Sequence, residues 1–354
     1  METKKLLTIA LTGILAGNAL LFPVMAERTG EQNGGNAAVY MIPAGTQCIE
    51  AHAFEGYTNL VRVEIPDGVT EIGDYAFAGC TNLQEIVLPD SLTKIGEHAF
   101  EGCSALVQLG NMSQLESIGA RAFYRCLSLE SIGDLSSLTI IDSSAFVGCS
   151  SLKQLGDLPK LQRIGPAAFG IEKVFNIQER KMEIYACSSL ETIGDMPNLE
   201  YIGERAFSSC TALKKIGDLP NLTRMEDSVF RNCSALESIG DMPKLKWIRQ
   251  STFRSCTALV TIGNLNSLTA IYQVTFSDLS SLKSIGDLSN VTSIEWQAFG
   301  GCTSLESIGV LRSATSIHDY AFYNCDNLTL RVLHNSYAEQ YAKSNNIPYT
   351  YISD

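Results

Sequence analysis

The chain has 354 residues, of which 45% are hydrophobic and 18% charged, and its 38 acidic and 26 basic side chains sum to −12. That balance argues against a nucleic-acid binder, because phosphate contacts need clustered Lys and Arg. A mean hydropathy of +0.07 is too apolar for a disordered chain.

The first 26 residues read as a signal peptide. Lys4 and Lys5 give a positive start, Leu6 to Phe22 is almost wholly apolar, and Val24-Met25-Ala26 suits a signal peptidase. A transmembrane anchor is the alternative, but the apolar run falls just short of the roughly 20 residues needed to span a bilayer. Export is therefore expected. Without Glu2, Lys4 and Lys5 the remainder carries −13, and it holds no later apolar stretch long enough to span. Residues 27–38, rich in Gly, Asn and Glu, read as an unstructured lead-in.

A repeat fills residues 39–332. Phenylalanines stand 23 apart at Phe54, Phe77, Phe100, Phe123, Phe146 and Phe169, and again from Phe207 through Phe230, Phe253, Phe276 and Phe299 to Phe322. The gap between the two series is 38 residues, one period plus a 15-residue insertion at 170–184. Five places before each Phe stands Ile, replaced once by Met225, and three places after it stands Cys in ten of twelve copies. Tyr57 and Leu279 fill the other two. Six places after each Phe, once the insertion is removed, stands Leu. Apolar residues at every third place fit neither a helix nor a long strand, but they fit short strands and turns around a narrow core. An α/β-type repeat solenoid dominated by short β-strands is the expected fold.

The second copy carries the clearest motif, Leu83-x-x-Ile86-x-Leu88-Pro89-x-x-Leu92-x-x-Ile95-Gly96-x-x-Ala99-Phe100. It resembles the BspA-like leucine-rich-repeat surface proteins, whose 23-residue unit is called the TpLRR type. The resemblance implies a right-handed solenoid with a parallel sheet along its concave side. It also implies bacterial surface display and attachment to host matrix proteins or other cells. From the third copy the chain departs from the pattern, with Ile-Gly-Asp-Leu or Ile-Gly-Asp-Met in place of Ile-x-Leu-Pro. Nine glycines from Gly110 to Gly309 form that column, and since glycine tolerates positive φ a bulge or tight turn after a shortened strand is expected.

Equivalent residues of stacked coils become neighbours about 4.8 Å apart. The column after the core Leu alternates in charge over most of its length (Glu130, Lys153, Glu191, Lys214, Glu237) and reads as a solvated ladder that fixes register. The next column holds Ser131, Gln154, Thr192, Lys215, Ser238 and Thr261; it is small and polar, without an aromatic platform. The aspartates from Asp134 to Asp287 alternate with Asn111 and Asn264, which favours turn capping over a calcium row. The column cysteines read as free, buried thiols rather than disulfides or zinc ligands, and Cys48 falls outside the column.

His52, His98, His318 and His334 read as occupying unrelated repeat positions, and no catalytic motif or cofactor fingerprint is present. No enzyme activity, cofactor or metal is therefore assigned. Two places break the repeat. The insertion is mixed in charge and apolarity and reads either as a hairpin or short helix packed back on the solenoid, or as a projecting contact element. Residues 333–354 read as a cap, with a short helix from Asn335-Ser336 to Lys343 and a final strand at 347–352.

The expected function is protein–protein binding in adhesion by an exported monomer, with no nucleic-acid partner. A carbohydrate-binding role and a purely structural envelope role are the alternatives. The candidate contact residues are Gln154, Thr192, Lys215, Ser238 and Thr261 on the sheet, and Glu172, Lys173, Phe175 and Arg180 in the insertion.

Overall fold

A computed structural model describes residues 38–176 and 180–352. The signal-peptide reading of residues 1–26, and all of the lead-in except Ala38, lie outside them. The chain winds as a solenoid of short parallel strands, one coil per 23-residue repeat. Phe, Leu, Ile, Ala and Cys, or in a few coils a replacement such as Met225 or Thr252, point inward from fixed positions, and nearly all are sealed from solvent. A single coil could not bury such a face; stacked coils share one continuous core.

The phenylalanines stack along the axis of this core. From Phe54 to Phe322 each ring lies on the next, with centroids 5.0 to 5.6 Å apart. Phe169 and Phe207 stack at 5.2 Å despite the insertion between them. Each column cysteine supports this spine. Its thiol donates to the carbonyl of the phenylalanine one coil earlier, from Cys80 to Phe54 at 3.1 Å through to Cys325 and Phe299 at 3.0 Å. Tyr57 sits in the first coil of the series, where no earlier phenylalanine of the column offers a carbonyl.

Two strips of strand run along the solenoid rather than one. The first follows the core Leu column. It begins with longer strands, Ala38–Met41, Leu60–Glu64 and Glu85–Val87, and shortens to two residues or a single bridge between Gln108–Leu109 and Ser307–Ile308. The shortening coincides with the change to Ile-Gly-Asp. The second strip was not anticipated. It runs as two-residue strands from Cys48–Ile49 to Arg224–Met225 in one eight-stranded sheet, and continues in four strands from Trp247–Ile248 to Ser316–Ile317. In each pair the second residue is the apolar one five places before Phe, and the first faces out. Cys48, unplaced by sequence, opens this strip beside Glu71.

The coils close through left-handed turns. The residue two places before Phe has φ between 47° and 61° in eleven coils, Tyr320 in the last being the exception. The residue two places after Phe is also left-handed, except Ile171, where the insertion begins. Most of these positions carry non-glycine residues, each costing on the order of 1 kcal/mol in that conformation. Hydrogen bonds to the following coil offset it: the first turn donates from His52 N to Asp74 O (2.9 Å), Phe54 N to Ala76 O (2.7 Å) and Gly56 N to Ala78 O (2.7 Å).

The glycine column has a different cause from the one expected. None of the nine from Gly110 to Gly309 has a left-handed φ. Instead, the backbones of successive coils approach too closely for a side chain at several of them. A Cβ on Gly133 would lie 2.1 Å from Gly110 O, and one on Gly263 would lie 2.4 Å from the Gly240 carbonyl carbon.

At the C-terminal end the helix Tyr337–Ser344 and the strand Tyr349–Tyr351 close the stack, the latter pairing in parallel with Leu330–Val332. Ser336 caps the helix by accepting from Glu339 N. Buried Glu339 accepts in turn from Asn335 N and Tyr351 Oη at 2.6 Å each, and pairs with Lys343 at 2.5 Å.

Candidate binding surfaces

The outward residues of the first strip stand in register, Gln154 beside Thr192, then Lys215, Ser238 and Thr261. All are exposed except half-buried Ser238, so the solenoid gathers five of the expected contact residues into one row. The flanking charge ladder forms two ion pairs. Lys153 lies 3.6 Å from Glu130, and Lys214 lies 2.6 Å from Glu191. The hydrogen bond from Lys214 lowers the Glu191 carboxyl below its ordinary value, and Glu191 raises Lys214. At this exposure each pair fixes register more than it adds stability.

The aspartate column caps turns and couples coils. Asp157 accepts from Asp195 N (3.0 Å), Asp218 from Asp241 N (3.0 Å) and Asp241 from Asn264 N (2.7 Å). Asp134 and Asp287 accept from the amide two residues on, at 2.8 Å each, as Asn264 does at 3.0 Å. An amide oxygen performs this task as well as a carboxylate, which accounts for the Asn substitutions. Among the described residues no group of three or more His, Cys, Asp or Glu is placed to hold a metal ion.

The insertion forms an antiparallel hairpin of strands Glu172–Asn176 and Lys181–Tyr185, in which Phe175 pairs with Met182. The packed-back hairpin is the form found, and part of it stays exposed. Its base folds back on the two preceding coils: Glu172 pairs with Arg121 at 2.9 Å, and the Arg125 guanidinium lies 4.4 Å from the centre of the Tyr185 ring. Gly148, in contact distance of Tyr185, takes a positive φ of 81° that a side chain would strain. Burial and the nearby Glu172 push the Tyr124 phenol up to about 12. Lys173, Arg180, Met182 and Ile184 are exposed, the last by 60%. Ile184 and Tyr185 wall an open pocket of about 410 Å³ whose other side carries Leu127, Ser150, Ser209 and Thr211. These anchoring contacts go to turn residues and not to the first-strip row, so the two groups of candidate residues form separate surfaces.

The histidines need a correction. His52 and His98 share one repeat position, two coils apart, and Tyr75 lies stacked between them with ring centroids at 5.0 and 4.4 Å. Their Nδ1 atoms face Glu55 and Glu101 respectively. His318 and His334 lie elsewhere, near the cap.

Sequence reasoning missed the outward face of the second strip. Arg163, Tyr201, Arg224 and Trp247 stand there on consecutive coils. Tyr201 is held between two guanidinium groups, Arg163 at 4.4 Å and Arg224 at 5.5 Å from the ring centre. Glu226 joins Arg224 to Arg249, the latter at 3.2 Å. The signal was available six places before each Phe, in a column that the apolar neighbour five places before overshadowed.

Comparison with known proteins agrees with this architecture. The family model described as BspA type leucine rich repeat region matches residues 36–153, 135–237, 178–288, 216–329 and 270–346. A leucine-rich repeat protein from Bacteroides ovatus is 25% identical, with 95% of this chain and 100% of that one covered and a TM-score of 0.53. A leucine rich cell surface protein from Faecalibacterium prausnitzii is 24% identical over 92% of this chain and 99% of its own, at a TM-score of 0.45. The T. pallidum protein TpLRR is 21% identical over 70% and 79%, at 0.27. Of these three, only the first superposes closely enough to bear on the fold. A search of curated proteins gave no match.

Proposed function

The chain belongs to the BspA-type leucine-rich-repeat family, and from that premise we propose that it is an exported, non-enzymatic binding protein that attaches a bacterial cell to host matrix proteins or to other cells. The observation that carries this reading is the long, shallow, solvent-facing array with a hairpin raised from one coil. Such a surface offers extended area to a polypeptide, whereas small-molecule sites are concave and enclosed. Among the described residues, no helix is long and apolar enough to cross a membrane. A monomer acting through the Gln154–Thr261 row and the exposed hairpin residues Lys173 and Arg180 is the working arrangement, with Glu172 as an anchor.

The test is a binding screen of the purified chain against arrayed matrix proteins and glycans, repeated with residues 170–184 deleted. The reading expects a saturable protein hit that weakens on deletion, while circular dichroism and the melting temperature stay near those of the parent. An unchanged hit would remove the hairpin from the contact. Glycan hits alone would replace the protein partner with a carbohydrate.

A further inference from the structure

We infer that the second strip between Arg163 and Arg249 is a docking surface for an acidic polypeptide segment. This deepens the protein-binding reading and rests on it. The outward run Arg163, Tyr201, Arg224, Trp247 contains only the residue types that dominate interface hot spots. Three arginines gather there, and Glu226 is the one carboxylate ion-paired to any of them among the described residues, in a chain whose net charge is −12. On the first strip Lys153 and Lys214 are each held by a glutamate, whereas Arg163 has no ion pair among the described residues and is exposed.

The geometry also selects the partner's chemistry. Both faces of the Tyr201 ring are covered by guanidinium groups, so the ring cannot stack on a sugar. What remains available is guanidinium N–H groups, which match carboxylates in two-pronged hydrogen bonds. With Tyr201 between them, the two guanidinium carbons stand up to about 10 Å apart along the strip, two coil spacings. A polyproline II segment advances about 9.3 Å in three residues and returns to the same face. Carboxylates at every third residue of such a segment would meet Arg163 and Arg224 in turn.

Fluorescence anisotropy with the full chain and a fluorescein-labelled (Glu-Pro-Pro)4 peptide tests the proposal, with (Lys-Pro-Pro)4 as control. Saturable, salt-sensitive binding of the Glu peptide alone is expected, weakened about tenfold or more by the paired change Arg163→Glu and Arg224→Glu. Because Arg224 contacts Glu226, Arg163→Glu alone is the second variant; it should weaken binding without altering the melting temperature. Lys214→Glu on the first strip should leave affinity within about twofold. Equal binding of the two peptides, or affinity unmoved by the arginine changes, would overturn the proposal. Capture of heparin through the same arginines with no capture of the Glu peptide would overturn it in favour of a sulfated polymer. A matrix protein bound equally by the parent and by both arginine variants would remove this surface and leave the protein-binding reading standing. Capture of the Glu peptide with no protein hit on the array would do the reverse.

Discussion

At the scale of single residues, the cysteines show how a repeat position is chosen. Burial raises most of the column thiols, Cys80 to about 12 and Cys103 and Cys126 also upward, so they stay protonated and serve as donors to the phenylalanine carbonyls. Their inertness follows from the same burial. The half-buried exceptions are Cys48 and Cys325. Interaction with the neighbouring Cys302 sulfur lowers Cys325, whereas burial and then Glu50 raise Cys48. Iodoacetamide at mild alkaline pH should therefore label Cys325 first and Cys48 more slowly, with the rest labelled only after denaturation. Peptide mapping by mass spectrometry reads the order; early labelling of Cys126 or Cys149 would contradict it.

At the scale of elements, the cap depends on a carboxylate that can be titrated. The hydrogen bond from Lys343, with those from Tyr351 and the Asn335 amide, lowers Glu339 from an ordinary 4.5 to about 2. A depressed folded-state value means that this contribution is complete above the unfolded value, near pH 4.5, and is lost as pH falls toward 2. Thermal melts across that window should show the parent losing stability more steeply than Glu339→Gln, and parallel slopes would refute the role. The cap's short helix, its polar start at Asn335-Ser336 and its final strand were legible in sequence. So was the first strip, because its core Leu and Ile recur at fixed distance from Phe. The second strip was not: its Ile five places before Phe was read as a core residue, and with two residues per strand and no longer strands like those that open the first strip it shows no alternation. The glycine column was visible as a column, but its cause, backbone meeting backbone between coils, depends on a separation that no single copy encodes. The candidate row from Gln154 to Thr261 followed from the period alone; the Arg163–Trp247 run needed the knowledge that its column faces out.

At the scale of the whole molecule, stability is passed from coil to coil along the phenylalanine stack. Phe230 touches Phe207 at 5.3 Å and Phe253 at 5.6 Å, and no part of it is exposed. Phe230→Ala should cost about 3–5 kcal/mol and leave two neighbours facing a cavity. Because each coil contacts only its neighbours, guanidinium unfolding of this variant should divide into two transitions. A single transition shifted by less than about 1 kcal/mol would show that the stack is not the carrier.

The spacing of Phe169 and Phe207 has a further consequence. Fifteen additional residues leave the chain between them and return, yet the rings meet at the same distance as everywhere else. That joint behaves as a socket whose contents can be exchanged without altering the pitch of the rod, so the support and what it displays are free to change independently.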